Sequence, residues 1–257
     1  MNYLVLPLDP YVERTLVFDT IIPGEVARAR EVRIDRSGAG YNVARILGQF
    51  GVQVTTMSLS VESEGHDDEF GSVRKVPLLE PGKITTAIDR TAGTFTSFET
   101  RAPALVGVRE EAGLAALLAA MVEALVDQTC EAVILAGDHH SPFGASLVAA
   151  VVERLQSTAV SLHRISGTAV DPLVYYQGTP HEELVYGSVT GPLRWKSEEF
   201  EAIPINPVNR QGFLEACFVG VLLGLEDGCS MVEALERGNA AMAMNSSTLQ
   251  PGSVRPV

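Results

Sequence analysis

The chain has 257 residues, of which 46% are hydrophobic, and its formal net charge is −13. The apolar content excludes wholesale disorder, and the length suits one α/β domain with a large buried core. The negative charge opposes binding to nucleic acid and to anionic membranes, so neither is expected as a partner.

The N-terminal half predicts strands around a single helix. Apolar or alternating residues predict strands at 3–8, 13–18, 31–34 and 52–57, and helical spacing predicts a helix at 42–50. Residues 59–72 are polar and turn-rich. β-branched and polar residues alternate on both sides of Ala92-Gly93, which predicts a hairpin over 83–100. We expect this hairpin to belong to a small lid apart from the main sheet.

The C-terminal half predicts helices around one buried strand. The continuous apolar run 131–136 is typical of a parallel strand that is covered on both faces. After it, several short β-like runs fill a stretch with room for one or two βα units. Ser230 and Glu233 fit a capping box at the start of the last helix. The pattern predicts helices at 111–126, 146–155, 213–225 and 231–244, and β-like runs at 170–176, 184–186 and 201–205.

A glycine-rich turn leads into the first predicted helix, in the run RSGAGYNVARIL that starts at Arg36. Gly38 and Gly40 lack a Cβ, so their backbone can approach a ligand closely. Such a turn gathers free N–H groups at a helix N-terminus, which suits a polar or anionic ligand. Asn42 adds a side chain that both donates and accepts hydrogen bonds. The turn predicts a site for a small polar molecule, and the alternative is a tight connection without a ligand.

The cysteines and the N-terminus bear on the compartment. The chain has three cysteines, an odd count without metal-type spacing, which favours reduced thiols over a disulfide framework. The first residues, MNYLVLPLDP, have neither the basic region nor the long apolar segment of a signal peptide. Every longer apolar run is broken by glycine or charge before it could span a membrane. We expect a cytoplasmic protein.

Three blocks of the chain resemble the ribokinase-like (PfkB) sugar kinases, and most of all the branch of 1-phosphofructokinase and tagatose-6-phosphate kinase. They begin LDPYVERTLVFDT at Leu8, EAVILAGDHHSPFGAS at Glu131 and INPVNRQGFLEACFVG at Ile205. The resemblance implies a doubly wound ribokinase-like α/β sheet with a small β lid and a shortened C-terminal half. We expect a single domain over residues 1–257, with lid strands from about 11–35 and 83–100.

The resemblance also implies a sugar site. In that family an acidic residue after the first strand, a glycine pair and the Asn that opens the helix hold the sugar. Carboxylates accept hydrogen bonds from sugar hydroxyls, so a sugar or a sugar phosphate is the implied ligand. The residues that stand at these positions are Asp9, Glu13, Gly38, Gly40 and Asn42.

The catalytic end departs from the family pattern. The family's Gly-Ala-Gly-Asp turn supplies backbone N–H groups for the transferred phosphoryl group and a carboxylate base. Here the turn reads Asn209, Arg210, Gln211 and Gly212, so glycine replaces the base. The lysine of the glycine motif is Ala39, and the metal-holding Asn-x-x-Glu is missing.

These departures leave the family's catalytic roles without residues to fill them. We therefore assign no catalytic residue and no metal ligand, expect no cofactor, and treat 209–212 as a candidate anion site. Glu215, on the same predicted helix, faces about the right way to act as a base, although it would have to reach back one turn.

Three functions stay open at this point. The first is a degenerate sugar kinase that binds its sugar without transferring phosphate. The second is an active kinase with a rebuilt nucleotide site, which would need ATP and Mg. The third is an oligomeric structural protein, in which the open strand edges of the lid form a homodimer.

Two polar clusters have a weaker case. Asp138, His139 and His140 carry metal-ligand chemistry, but adjacent histidines on a loop rarely face one point. We expect them to form either a plain loop or a loop that borders the substrate. The acidic run at 66–69 predicts a solvated loop.

Overall fold

Over the residues that it describes, the computed structural model shows a large mixed sheet, a smaller second sheet and five helices. It describes residues 2–61, 71–107, 110–137, 141–156, 158, 160–165, 173–177, 181–188, 191–195, 198–200, 212–248, 250 and 252–254. The strands are β1 (Asn2–Pro7), β2 (Tyr11–Phe18), β3 (Glu31–Ser37), β4 (Gln53–Ser60), β5 (Ser72–Glu80), β6 (Gly82–Asp89), β7 (Thr94–Arg101), β8 (Ala104–Leu105), β9 (Ala132–Ala136), β10 (Ser161–Ile165), β11 (Leu173–Gln177), β12 (His181–Ser188), β13 (Gly191–Trp195) and β14 (Glu198–Phe200). The helices are α1 (Ala39–Gln49), α2 (Glu111–Thr129), α3 (Pro142–Leu155), α4 (Phe213–Glu226) and α5 (Met231–Ser246).

The main sheet has the strand order β14-β13-β12-β11-β10-β9-β1-β4-β5-β8. Its central strands, from β10 to β5, pair in parallel. β1 lies in the middle, and from Tyr3 to Pro7 its residues are buried. This explains why its sequence is a continuous apolar run, since both faces of the strand are covered.

Helices cover both faces of the parallel region. Successive residues of β1 point to opposite faces: Tyr3 and Val5 pack into one hydrophobic core, and Leu4 and Leu6 into the other. The first core also takes residues from α1, α4 and α5, and the second takes residues from α2 and α3. The sheet is therefore doubly wound, as the sequence predicts. No helix in the described part of the chain is long and apolar enough to cross a bilayer.

The second sheet has the order β3-β2-β6-β7 and forms the lid. Its centre is a parallel pair, β2 with β6, and each of these strands pairs antiparallel with the strand that follows it in sequence. The predicted hairpin is confirmed as β6 and β7. The lid thus consists of two hairpins, which leave the main sheet after β1 and after β5.

Other local predictions meet mixed outcomes. The capping box at Ser230 and Glu233 is confirmed. Helix α1 starts at Ala39, three residues before the predicted start, because Gly38 takes the N-cap position. The strand β5 was not predicted at all.

The β-like runs predicted at 170–176 and 184–186 overlap β11 and β12, in a stretch that also had room for one or two βα units. A parallel strand, β10, is followed by the antiparallel strands β11 to β14, with no helix among the residues described between α3 and α4. The stretch is rich in Val, Leu and Tyr between glycines, which favours short strands and tight turns over helices. The run at 201–205 lies outside the described residues.

Candidate functional site

The carboxyl ends of β1 and β9 open into a cavity of about 500 Å³ between the main sheet and the lid. Open α/β sheets place their ligands at this edge, because loops and helix N-termini converge there. The start of α1 contributes Gly38 and Asn42, and the starts of α3 and α4 contribute Ser141 and Glu215. The lid contributes Tyr11, Ile84 and Glu99.

Asp9 follows β1 and is enclosed by two glycine turns. Gly38 has φ 102° and Gly137 has φ 126°, and both values favour glycine. A Cβ on Gly38 would collide with the Asp9 carbonyl oxygen, and a Cβ on Gly137 would lie 2.9 Å from the Asp9 nitrogen. The glycines therefore allow the chain to close tightly around Asp9, which lines the cavity.

Gly40 has a different position from the one the sequence suggests. A Cβ there would lie 2.7 Å from the Cβ of Pro7, so this glycine permits close packing of α1 on β1. Among the described residues that line the cavity, Gly38 is present and Gly40 is not. The glycine pair thus serves two purposes, one at the cavity and one in the core.

Asn42 lies in the first turn of α1 and is only 2% exposed. Its side-chain carbonyl accepts a hydrogen bond from Arg45 Nη1 at 3.4 Å, and its amide Nδ2 donates to Glu215 Oε1 at 3.5 Å. The contact with Arg45 fixes the orientation of the amide, so the NH₂ group is the part turned toward Glu215 and the cavity. Asn42 therefore offers a donor to a ligand.

Glu13 lies behind the cavity lining, and the structure does not bring it to the surface of the cavity. Its carboxylate is fully buried and accepts hydrogen bonds from Thr86 Oγ1 at 2.7 Å and Ser37 Oγ at 2.9 Å. Burial raises the pKa of Glu13, and the two hydroxyl donors oppose that rise. Glu13 joins β2, β3 and β6, so its place in the structure is at the base of the lid.

Gly212 occupies the N-cap of α4 with φ 79°. A Cβ on this residue would lie 3.1 Å from Asn245 Oδ1 and would collide with the backbone nitrogen of Gly252. Any side chain here therefore needs the C-terminal segment to move. The other residues of the candidate anion site, Asn209, Arg210 and Gln211, lie outside the described residues, as do Asp138, His139 and His140 and the run at 66–69.

The C-terminal segment, of which residues 250 and 252–254 are described, passes between the starts of α1 and α4. A Cβ on Gly252 would lie 2.5 Å from the Cβ of Asn42. Gln250 Nε2 donates to Asp35 Oδ1 at 3.3 Å, and Val254 N donates to Gln49 Oε1 at 2.7 Å. These bonds hold the segment against β3 and α1, so it forms a fixed wall between Asn42 and Gly212.

Among the described residues, four carboxyl groups line the cavity: Asp9, Glu99, Glu111 and Glu215. Burial raises the pKa of Glu215, and the nearby charge of Glu13 adds to the rise. Among the described residues of the lining there is no Lys, Arg or His. In the described part of the chain, no group of three or more His, Cys, Asp or Glu side chains is placed to hold a metal ion.

Sequence reasoning missed several residues of this site. Ser141 caps α3, accepting a hydrogen bond from Gly144 N at 3.1 Å, and the Ser-Pro pair at 141–142 is a recognisable helix start. Tyr11 and Glu99 come from lid strands whose distance from the cavity no local pattern reveals. The only sequence signal at Gly252 is the proline before it, which indicates a turn but not a contact with Asn42.

Comparison with known proteins confirms the predicted fold. The tetrameric inhibited form of phosphofructokinase-2 from Escherichia coli aligns with a TM-score of 0.64 at 15% identity, over 95% of this chain and 93% of that one. The same enzyme in complex with fructose-6-phosphate gives 0.63 at 13% identity, over 96% and 93% of the two chains. Arabidopsis thaliana ribokinase complexed with ribose and ATP gives 0.56 at 12% identity, over 99% and 95%. The chain has the ribokinase-like carbohydrate kinase fold.

The sequence comparisons are more limited. No family model matches the chain. A segment of 59 residues is 38% identical to the 1-phosphofructokinase of Xanthomonas campestris, and this match spans 23% of the chain and 19% of that relative. It agrees with the branch of the family that the motifs resemble.

Proposed function

We propose that the protein binds a sugar or a related polyol in the cavity under the lid, and that its ATP-dependent kinase activity is impaired or lost. Proteins of the same fold include a ribokinase complexed with ribose and a phosphofructokinase complexed with fructose-6-phosphate. A cavity of about 500 Å³ is large enough for a monosaccharide.

The polar groups of the cavity support a polyol ligand. Asp9 and Glu215 offer carboxylate acceptors, and Asn42 offers an amide donor. A sugar hydroxyl both donates and accepts, so it can satisfy groups of both kinds at once. Ser141 and Tyr11 add hydroxyl groups to the lining.

The geometry of Gly212 is the observation that best supports the proposed loss of kinase activity. The resemblance assigns the base to this position, and the Gly252 backbone occupies the space into which a side chain would project. Loss of a general base lowers the rate by about 10²- to 10⁴-fold. The C-terminal segment that fills this space is itself hydrogen-bonded to β3 and α1. A carboxylate side chain at residue 212 would therefore clash with a segment that is held in place.

Thermal unfolding with a panel of sugars, and separately with ATP and Mg, tests the proposal. A ligand at 100 times its Kd stabilises the folded state by about 2.7 kcal/mol, which is a readily measured shift. We expect at least one sugar to shift the melting temperature and ATP with Mg to leave it unchanged. The sugar shift should disappear in Asn42→Ala and persist in Asn2→Ala, which alters an amide outside the cavity. Phosphoryl transfer in a coupled assay would refute the loss of activity.

A second candidate function, an active kinase, is favoured by Glu215. This carboxyl group lines the cavity beside Asn42, and burial raises its pKa toward the range of a general base. Such a kinase would use ATP and Mg. It predicts efficient phosphoryl transfer that Glu215→Gln abolishes, whereas the binding proposal predicts little or no transfer by either protein.

We also propose that the outer face of the lid binds a second copy of the chain. Val32, Ile34 and Phe98 are 50%, 54% and 54% exposed. Strand register places Ile34, Arg14, Thr85 and Phe98 in one row across the face opposite Glu13. The E. coli phosphofructokinase-2 with this fold is described as tetrameric.

Light scattering coupled to size exclusion tests the dimer. We expect a dimer that Ile34→Arg converts to a monomer, because a charge on the buried centre of an interface is costly to desolvate. Val26→Arg is the matched control, since Val26 is 94% exposed and lies outside the lid strands. A monomeric wild-type protein contradicts the proposal, and so does an Ile34→Arg protein that stays dimeric.

A further inference from the structure

We infer that the cavity selects a polyol that carries a positive charge, as an amino sugar does, over a neutral sugar and over a sugar phosphate. The inference rests on the proposed function, because it names the ligand class of the same cavity. It combines three observations: the enclosed space, the charge of the described lining residues and the orientation of the Asn42 side-chain amide.

The lining carries acidic groups at two depths. Glu99 and Glu111 are exposed at the mouth, on β7 and at the start of α2. Asp9 and Glu215 are half-buried and lie further in. Charges at the mouth attract a cation from solution and are weakened by salt, whereas charges in the poorly solvated interior act strongly at short range.

Two guanidinium groups beside α1, those of Arg36 and Arg45, lie behind the cavity surface. Arg45 is 1% exposed, and its Nη2 donates to the Arg36 carbonyl oxygen at 2.8 Å. Arg36 is 4% exposed, with its guanidinium carbon 5.9 Å from the centre of the Tyr41 ring. Both groups are held behind the lining. A phosphate would therefore meet carboxylates and, among the described lining residues, no cation.

The orientation of Asn42 completes the match to a charged polyol. Arg45 donates to the carbonyl oxygen of Asn42, and the amide nitrogen faces Glu215, so the amide can donate toward the cavity. Hydroxyl oxygens of the ligand accept from this amide, and an ammonium group donates to Asp9 or Glu215. An ammonium–carboxylate hydrogen bond is charge-assisted and about twice as strong as a neutral one.

Matched sets of ligands on one carbon skeleton test the inference by calorimetry. The first set is glucamine, sorbitol and sorbitol 6-phosphate, and the second is glucosamine, glucose and glucose 6-phosphate. In the set that binds, we expect the Kd of the amine to be at least tenfold below that of the neutral polyol, and the Kd of the phosphate to be at least tenfold above it. Raising the salt concentration should bring the Kd values of the amine and of the phosphate closer to that of the neutral polyol.

Charge-neutralising variants separate the acidic lining from the rest of the pocket. The double variant Glu99→Gln, Glu111→Gln keeps the shape of the mouth, and we expect it to reduce the preference for the amine at least threefold. Glu236→Gln removes an exposed carboxylate on α5, outside the cavity, and should leave the preference unchanged.

The outcomes distinguish this inference from the proposed function. If the phosphate binds as tightly as the amine, or the amine no better than the neutral polyol, while Asn42→Ala still abolishes binding, the inference is wrong and the proposed function stands. If no member of either set binds, and no sugar of the wider panel does, both are wrong.

Discussion

Replacing Gly212 by alanine tests the contact between the start of α4 and the C-terminal segment. The substitution adds one methyl group at φ 79° and directs it at the backbone of Gly252. A non-glycine residue in this left-handed region costs about 1–2 kcal/mol. Forcing an extra methyl into a packed site costs a further 1–3 kcal/mol or so. We therefore expect Gly212→Ala to lower the free energy of unfolding by about 2–5 kcal/mol.

Gly228 provides a matched control. It has the same φ of 79°, at the other end of α4, and a Cβ there would meet nothing within 4 Å. Gly228→Ala therefore pays for the backbone conformation alone, about 1–2 kcal/mol. The difference between the two variants isolates the steric contact with Gly252.

Urea unfolding followed by circular dichroism measures both variants against the wild type. In a chain of this size each kcal/mol corresponds to a shift of about 2–4 °C in Tm, so calorimetry gives a second reading. If the two alanine variants lose equal stability, within about 0.5 kcal/mol, the C-terminal segment does not lie against Gly212. The argument that no base can project from this position then fails as well.

Three further predictions concern titration and helix capping. Burial lowers the pKa of His163 to about 4 from 6.5, so stability should fall by about 3 kcal/mol as the pH drops from 7 to 4, and His163→Gln should remove that loss in urea unfolding. Burial raises the pKa of Glu13, so the folded state holds this proton more tightly than the unfolded state, and stability should fall as the pH rises from about 4.5 toward neutral. Glu13→Gln should flatten this fall above pH 4.5, and an unchanged slope would contradict the burial of the carboxyl group. Ser230→Ala should cost about 1 kcal/mol because it removes the capping box, whereas Ser247→Ala, at an exposed C-cap, should cost less; equal urea midpoints would contradict the role of the cap.

The parallel core of the fold was predictable because its signals are local. The apolar runs of β1 and β9 are continuous, which identifies strands buried on both faces. The lid hairpin β6–β7 follows from alternation around a glycine turn. β5 gave no such signal, because Arg74, Lys75 and Pro77 interrupt its pattern and only Leu79 is well buried.

The site was predictable only in part, because long-range contacts decide where each side chain lies. Asp9 and Asn42 come together at the cavity, as the glycine motif suggests. Glu13 lies behind the cavity lining, where its carboxylate accepts a hydrogen bond from Thr86, a residue 73 positions away in sequence. Gly212 meets Gly252 through a segment that carries no motif. Such contacts depend on how distant elements pack, and periodicity in one element does not encode them.

The segment around Gly252 gives the protein an unusual order of assembly. Asn42 is made early, and the residue that closes the space beside it is made about two hundred positions later. A nascent chain can pair β1 with β4 and form much of the lid while the space beside Asn42 is still open. Only after Gln250 and Val254 have been synthesised can they join β3 and α1. A chain truncated before residue 250 would therefore keep most of its core and lose the close contact between Gly252 and Asn42.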